Sequence, residues 1–203
     1  MTSAEPLGGG RVTPGVVRIG ETVRRPVANP FAHELLRRLE AAGFDAAPRF
    51  LGIDEEGREI LSWIEGSVPP ELEPDWPDET LAAAARLVRR FHDAVPGVCH
   101  NDLSPCNFVF RDGQPVAIVD WDEAAPGPPE RDLAYALFLW LDLNDGGPPL
   151  AEQRRRMRVF LDSYGRAEVP PGLIVEVVRG HPVNDWWRLQ AEWLDAHREE
   201  LRL

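Results

Sequence analysis

One segment, residues 99–122, constrains the fold and chemistry of this chain more than any other part of the sequence. It places Asp102 two residues after His100, Asn107 five residues after Asp102, and Asp120 at the end of an apolar run. A His-x-Asp pair by itself is a weak signal, because such pairs cap turns in many proteins. The combined order of carboxylate, amide, hairpin, apolar strand and second carboxylate is much more specific.

The polar groups of this segment suit one kind of chemistry. Asp102 lies on a loop after a short predicted strand, where its carboxylate can accept the proton of an attacking hydroxyl group. Asn107 and Asp120 offer an amide oxygen and a carboxylate oxygen, which are hard donors of the kind that Mg²⁺ prefers. The Asp112-Gly113 dipeptide predicts a hairpin turn, so these two ligands arrive from separate strands.

The stretch 100–107, followed by Asp120-Trp121-Asp122, resembles the catalytic loop and metal-binding triplet of the aminoglycoside phosphotransferase and choline kinase group of small-molecule kinases. The protein-kinase version reads H-R-D-x-x-x-x-N and then D-F-G, and Asn101 stands here in place of the Arg. Arg131-Asp132-Leu133-Ala134 also fits the Asp-Leu-Ala that this family tends to show after its metal-binding Asp. The resemblance implies ATP and Mg²⁺ as cofactors and transfer of the γ-phosphoryl group to a hydroxyl of a small molecule.

The resemblance also implies a role for each residue of the motif. Asp102 is the candidate catalytic base, and Asn107 and Asp120 are the candidate metal ligands. His100 is expected to be buried under the loop and bonded to the backbone, and Asp132 is expected to brace the catalytic loop. Asp122 is the third candidate metal ligand, and for it two interpretations remain open: assistance to the metal, or a solvated carboxylate.

The N-terminal stretch Thr22–Pro26 resembles the third strand of the family's N-lobe, where a basic residue contacts phosphate. Adjacent strand residues face opposite ways, so Arg24 and Arg25 cannot both point into the cleft. We assign the nucleotide-binding role to Arg24. Glu34 on the following predicted helix is its candidate acidic partner, and a solvent-facing Glu beside neighbouring arginines is the alternative.

Residues 60–66 resemble a kinase hinge, where backbone groups near Trp63 would contact the adenine. All 22 basic residues of the chain are Arg, so the lysine of the protein-kinase third strand is missing. An Arg could supply the same charge, but its planar fork binds phosphate oxygens differently from an ammonium. Gly8-Gly9-Gly10 also lacks the spacing of a kinase phosphate loop.

The pattern of apolar and turn residues predicts an α+β protein with the two-lobed, protein kinase-like fold. We expect an antiparallel-sheet N-lobe with one helix over residues 1–66, a proline-rich linker over 67–77, and a mainly helical C-lobe over 78–203 that carries the catalytic loop. Short β-type runs punctuated by Gly and Pro indicate the sheet. The expected strands are 16–19, 22–25, 48–53 and 58–64, and the expected apolar core helix is 133–143.

Composition narrows the function classes. The net charge of −12 disfavours a nucleic-acid partner and would suit a cationic acceptor, although acidic proteins are common and the charge also favours solubility. The longest apolar run is too short to span a membrane, and the first residues do not resemble a signal peptide. We expect a cytoplasmic protein with reduced thiols at Cys99 and Cys106. A protein substrate is disfavoured, because residues 120–133 leave no room for an activation segment.

Two function hypotheses remain. The first is an ATP- and Mg²⁺-dependent small-molecule phosphotransferase. The second is a non-catalytic, kinase-like binding or immunity module that sequesters a ligand, suggested by the missing Lys and the short C-lobe. Trp186, Trp187 and Trp193 are interpreted as packing of the terminal helices, with the wall of an acceptor pocket as the alternative. The pattern does not identify the acceptor or distinguish ATP from GTP.

Overall fold

A computed structural model describes residues 4–7, 15–72, 75–166, 168–181 and 184–203. Within them the chain forms an N-terminal antiparallel sheet with one helix and a mainly helical C-terminal part. The predicted α+β class is therefore confirmed. Gly8-Gly9-Gly10 lies outside the described residues. No helix in the described ranges is long and apolar enough to cross a membrane.

The N-terminal sheet has five strands in the order β1-β2-β3-β5-β4, and every neighbouring pair is antiparallel. Its strands are β1 (Glu5–Pro6), β2 (Val17–Ile19), β3 (Thr22–Pro26), β4 (Phe50–Ile53) and β5 (Arg58–Ser62). Helix α1 (Pro30–Ala41) joins β3 to β4. The Asn29 side chain caps this helix by accepting the Phe31 N–H at 3.0 Å, and Pro30 suits the first helical position.

Among its described residues, the C-terminal part has five α-helices and two small two-stranded sheets. The helices are α2 (Asp78–Ala94), α3 (Pro129–Trp140), α4 (Leu150–Tyr164), α5 (Pro171–Arg179) and α6 (Asp185–Ala196). The sheets pair β6 (Val98–Cys99) with β9 (Ala125–Pro126), and β7 (Phe108–Arg111) with β8 (Gln114–Ile118). The β7–β8 hairpin turns at Asp112-Gly113, as the sequence predicts.

Helix α3 is the centre of the C-terminal core. Nine of its twelve residues, from Asp132 to Trp140, are buried, and a helix that is apolar on all sides needs neighbours on all sides. It begins at Pro129, four residues before the predicted start, because a proline fits the first turn of a helix. It ends at Trp140, and Leu141 and Leu143 stay buried beyond its end.

The segment that joins the two parts is anchored on the β7–β8 hairpin. Ser67 exchanges two backbone hydrogen bonds with Phe110, at 2.7 and 3.0 Å, and the Trp76 ring stacks on the Phe110 ring at 5.0 Å. Gly66 has φ +144°, and a Cβ added to it would lie 2.5 Å from the Phe110 oxygen. A glycine is required at this crossing, because the two backbones approach too closely for any side chain.

Candidate active site

His100 is a buried structural residue of the loop that follows β6. Its Nε2–H donates to the Val119 carbonyl at 3.0 Å, and its Nδ1 accepts the backbone N–H of Asp102 at 3.3 Å. Both ring nitrogens are therefore used within the protein. The ring also packs against Trp121, with centroids 4.6 Å apart.

Asp132 on α3 anchors the same loop through hydrogen bonds to its backbone. Its side chain is fully buried and accepts the backbone N–H groups of His100 and Asn101, both at 2.8 Å. A third donor, His92 Nε2, lies 2.9 Å away, and the other nitrogen of that ring bonds to the Tyr164 hydroxyl. Three donors satisfy a carboxylate that would be costly to bury alone. They also stabilise Asn101 in its left-handed conformation, φ 65°.

Both oxygens of the Asp102 carboxylate are fixed by neighbouring side chains. The Tyr135 hydroxyl donates to Oδ1 at 2.7 Å, and Asn107 Nδ2 donates to Oδ2 at 2.8 Å and to the Asp102 carbonyl at 2.9 Å. Burial and the charge of Asp102 raise the pKa of Tyr135, so this hydroxyl remains a donor. Sequence reasoning missed Tyr135. The available signal was its position three residues after Asp132, which puts both side chains on one face of α3.

Asn107 and Asp120 present oxygens at one end of the β7–β8 hairpin. The amide nitrogen of Asn107 faces Asp102, so its Oδ1 is the side-chain atom left for a metal. The Val119 N–H donates to the Asn107 carbonyl at 2.9 Å, which keeps the two segments together, and Asp120 adopts φ 63° with its side chain 44% exposed. These hard oxygens fit Mg²⁺ shared with phosphates. Among the described residues no group of three His, Cys, Asp or Glu side chains could bind a metal by itself.

The basic residue that reaches this site is Arg25, and the choice of Arg24 is wrong. Arg25 Nη1 donates to Asp120 Oδ1 at 2.8 Å, and Nη2 donates to Asp122 Oδ1 at 2.5 Å. Arg24 points the other way, with its Nε 3.7 Å from Asp54. The reason is the register of β3 on β5, which pairs Arg25 with Glu59 and thus sets the inward face of the strand.

The acidic partner of this arginine lies on β5 and not on α1. Arg25 Nε donates to the buried Glu59, whose second oxygen lies 2.7 Å from His33 Nε2 on α1. Glu34 is exposed and has Arg37 Nη1 3.8 Å from its carboxylate, so the structure places it away from the cleft. Helix α1 therefore turns a histidine, not a glutamate, towards the sheet.

Asp122 is not the solvated carboxylate that one interpretation predicts. Its side chain is 18% exposed and bonds to Arg25. Burial raises its pKa to about 6; the Arg25 charge opposes this shift, and the charges of Asp120 and Glu59 add to it.

Trp63 lies at the end of β5 and packs under Arg18, whose guanidinium is 4.2 Å from the indole centroid. The indole N–H donates to Glu65 at 2.8 Å, and the backbone N–H donates to the Glu21 carbonyl at 2.9 Å. The ring lines a cavity of about 480 Å³ beside the end of α1. Since the Trp63 N–H is already used, a backbone donor to adenine in this segment would come from the residues that follow.

An aromatic cluster, which we define as Tyr135, His181 and Trp187, begins at the tyrosine that bonds to Asp102. The His181 ring lies 4.9 Å from Tyr135 and stacks on Trp187, also at 4.9 Å. Trp186, at the edge of the cluster, is 41% exposed, and its ring packs against Phe138 of α3 at 5.6 Å and against Trp187 at 5.2 Å. Burial lowers the pKa of His181, against the charges of Asp102 and Glu123.

Comparison with known proteins identifies the family of this chain. Residues 31–169 match the model of the phosphotransferase enzyme family. The matched range contains nearly all of α1, the catalytic loop, the β7–β8 hairpin and α3. The chain belongs to the phosphotransferase enzyme family. A trifolitoxin immunity protein from Rhizobium leguminosarum bv. trifolii is 32% identical over a 214-residue alignment, which covers 88% of this chain and 80% of that protein.

Solved structures give the same fold at low sequence identity. A choline/ethanolamine kinase family protein from Mesorhizobium loti is 20% identical with a TM-score of 0.54, over 98% of this chain and 87% of that one. A spectinomycin phosphotransferase solved with ADP and spectinomycin is 12% identical with a TM-score of 0.65, over 98% and 84%. The resemblance to aminoglycoside phosphotransferases and choline kinases is therefore confirmed for the fold.

Proposed function

We propose that this member of the phosphotransferase family transfers the γ-phosphoryl group of ATP to a hydroxyl group of a small molecule and that it requires Mg²⁺. The observation that supports this most is the environment of Asp102. Its carboxylate is partly exposed and is oriented by Tyr135 and Asn107. Val119, the residue before Asp120, bonds to Asn107 and His100 of the same loop. Phosphoryl transfer depends on this kind of positioning and charge neutralisation.

The residues divide the work of the step between them. The acceptor hydroxyl forms a bond from its oxygen to the γ-phosphorus as the bond to the bridging oxygen of ADP breaks, and Asp102 takes the hydroxyl proton. Asn107 and Asp120 would hold Mg²⁺, which supplies positive charge to the phosphate oxygens when it is bound. Arg25 adds the positive charge of its guanidinium beside Asp120. Asp132 and His100 keep the loop in place and touch no reacting atom.

The aromatic cluster supplies a wall for the acceptor. Tyr135 connects it to Asp102, and Trp187 and His181 extend it away from the base. Relatives of the same fold were solved with gentamicin or with spectinomycin, which supports a small-molecule acceptor. The net charge of −12 would favour a cationic one. We assign the protein to the cytoplasm, where ATP is available.

A second function is favoured by one specific observation. The relative at 32% identity is a trifolitoxin immunity protein, so this chain could protect against a toxic molecule. Protection by phosphorylation agrees with the first proposal. Protection by sequestration would need ligand binding without turnover, and the arrangement around Asp102 would then serve no chemical step.

A single experiment separates these functions. The protein is mixed with Mg²⁺-ATP and a panel of aminoglycosides, amino alcohols, sugars and nucleosides, and phosphorylated products are measured by mass spectrometry. We expect a product with one acceptor class for the wild type, no product for Asp102→Asn, and an unchanged yield for Asp93→Asn, whose carboxylate is exposed on α2. A nucleotide-independent thermal shift with an acceptor, and no product from any, would favour sequestration.

A further inference from the structure

Arg25 is held in a cluster of carboxylates that no sequence motif predicted. Three of its nitrogens bond to three different acids: Nε to Glu59, Nη1 to Asp120 and Nη2 to Asp122. The arginine side chain is only 9% exposed and that of Glu59 only 2%. Such a buried cation is stable only because each direction of its fork ends on an acceptor.

This arrangement explains why the position carries an arginine. A guanidinium offers five N–H donors in a plane, so Arg25 can bind three carboxylates and keep donors for a phosphate. A lysine offers one small ammonium, which cannot contact acids spread along the whole edge of that plane. The all-Arg composition supplies the residue, but the three acids around it are specific to this site.

The two acids of the Asp-x-Asp segment have different surroundings. Asp120 leaves 44% of its side chain exposed, whereas Asp122 leaves 18% and directs Oδ1 at Arg25 from 2.5 Å. Asn29 donates to the Asp122 carbonyl at 2.8 Å and fixes the backbone at the same point. Asp120 is therefore the acid with space for a metal, and Asp122 is directed into the protein.

We propose that Glu59 and Asp122 are positioning residues that act on the nucleotide through Arg25, and that Asp122 is not a ligand of the metal. This inference rests on the proposed function and specifies it. Glu59 on β5 does for Arg25 what an acid on α1 would otherwise do, and His33 supports it from α1 at 2.7 Å. Asp122 then connects Arg25 to the C-terminal part of the chain, which carries the catalytic loop.

The test is a pair of double-mutant cycles read by nucleotide affinity. The dissociation constant of Mg²⁺-ATP is measured by calorimetry for Glu59→Gln, Asp122→Asn and Arg25→Lys, and for each acid variant combined with Arg25→Lys. Glu56→Gln and Arg49→Lys are matched controls with exposed side chains. Melting temperatures identify any variant that fails to fold, and Glu59→Asp replaces Glu59→Gln if that variant does.

We expect each single variant to weaken Mg²⁺-ATP binding by about tenfold or more, as loss of supporting contacts at a charged site does. In the Arg25→Lys background the acid substitutions should add less than about twofold, because a positioning residue acts only through its partner. The Mg²⁺ concentration for half-maximal nucleotide binding should rise about tenfold in Asp120→Asn and stay within about twofold in Asp122→Asn.

Three results would overturn parts of this account, and they are distinguishable. Additive effects in the cycle would show that Glu59 and Asp122 do not act through Arg25. An Mg²⁺ requirement in Asp122→Asn as high as that of Asp120→Asn would make Asp122 a metal ligand. If the wild type binds no Mg²⁺-ATP, the proposed function itself is wrong, and this inference is rejected with it.

Discussion

The substitution Asp132→Asn tests the support of the catalytic loop with the change of one atom. The native carboxylate accepts one hydrogen bond at Oδ1, from the Asn101 N–H, and two at Oδ2, from the His100 N–H and from His92 Nε2. The amide has only one oxygen. Its better orientation keeps that oxygen towards His100 and His92 and turns the NH₂ group against the Asn101 N–H.

The magnitude follows from these contacts. The variant loses one charge-assisted hydrogen bond, worth about 1.5–3 kcal/mol, and leaves a buried donor without an acceptor, at about 1–3 kcal/mol more. Partial relaxation of the loop offsets some of this sum, so we expect the free energy of unfolding to fall by about 3–5 kcal/mol. This is a large share of the roughly 5–15 kcal/mol that stabilises a typical domain.

Urea unfolding followed by tryptophan fluorescence and circular dichroism measures this loss. Asp93→Asn is the control, because the Asp93–Arg89 pair on α2 is exposed and its loss should cost no more than about 0.5 kcal/mol. A decrease below about 1 kcal/mol for Asp132→Asn would refute the reasoning, since the three donors would then have found other acceptors.

Three further predictions concern single groups. Tyr135→Phe should lower kcat about tenfold with little change in Mg²⁺-ATP affinity, because one charge-assisted bond to Asp102 is lost; an unchanged kcat would contradict this role. Gly66→Ala should lower the melting temperature more than Gly57→Ala, since both have positive φ but only Gly66 would clash, with the Phe110 oxygen at 2.5 Å; equal shifts would contradict the close approach. Burial raises the pKa of Cys99 to about 12, so the contribution of this thiol to the free energy of unfolding is full below about pH 9 and falls as the pH rises towards 12. In Cys99→Ala the free energy of unfolding, measured with urea at each pH, should therefore fall less steeply over that range, and an unchanged slope would contradict this.

The sequence predicted the site where the pattern is local. His100, Asp102, Asn107 and Asp120 lie within 21 residues, and one strand pair with a two-residue turn is enough to bring them together. The apolar core helix was predicted for a similar reason, because its apolar residues follow one another along the chain. The start of α3 was missed by four residues, since Pro129 extends a helix whose apolar pattern begins later.

The remaining errors arise where the answer depends on distant partners. Strand alternation requires Arg24 and Arg25 to face opposite ways, but only the pairing of β3 with β5 decides which one meets Glu59. Glu59 itself was overlooked because its partner is 34 residues away. Tyr135 and His181 belong to α3 and the α5–α6 connection, and only tertiary packing brings them to Asp102.

The central claim is that Asp102 serves the chemical step and Asp120 serves the metal. Mg²⁺-dependent ATP binding and phosphoryl transfer to the identified acceptor are measured side by side for Asp102→Asn and Asp120→Asn. We expect Asp102→Asn to bind Mg²⁺-ATP within about threefold of the wild type but to lose at least about a hundredfold in turnover. We expect Asp120→Asn to need about tenfold more Mg²⁺ than the wild type for half-maximal nucleotide binding. Wild-type turnover in Asp102→Asn would contradict the central claim.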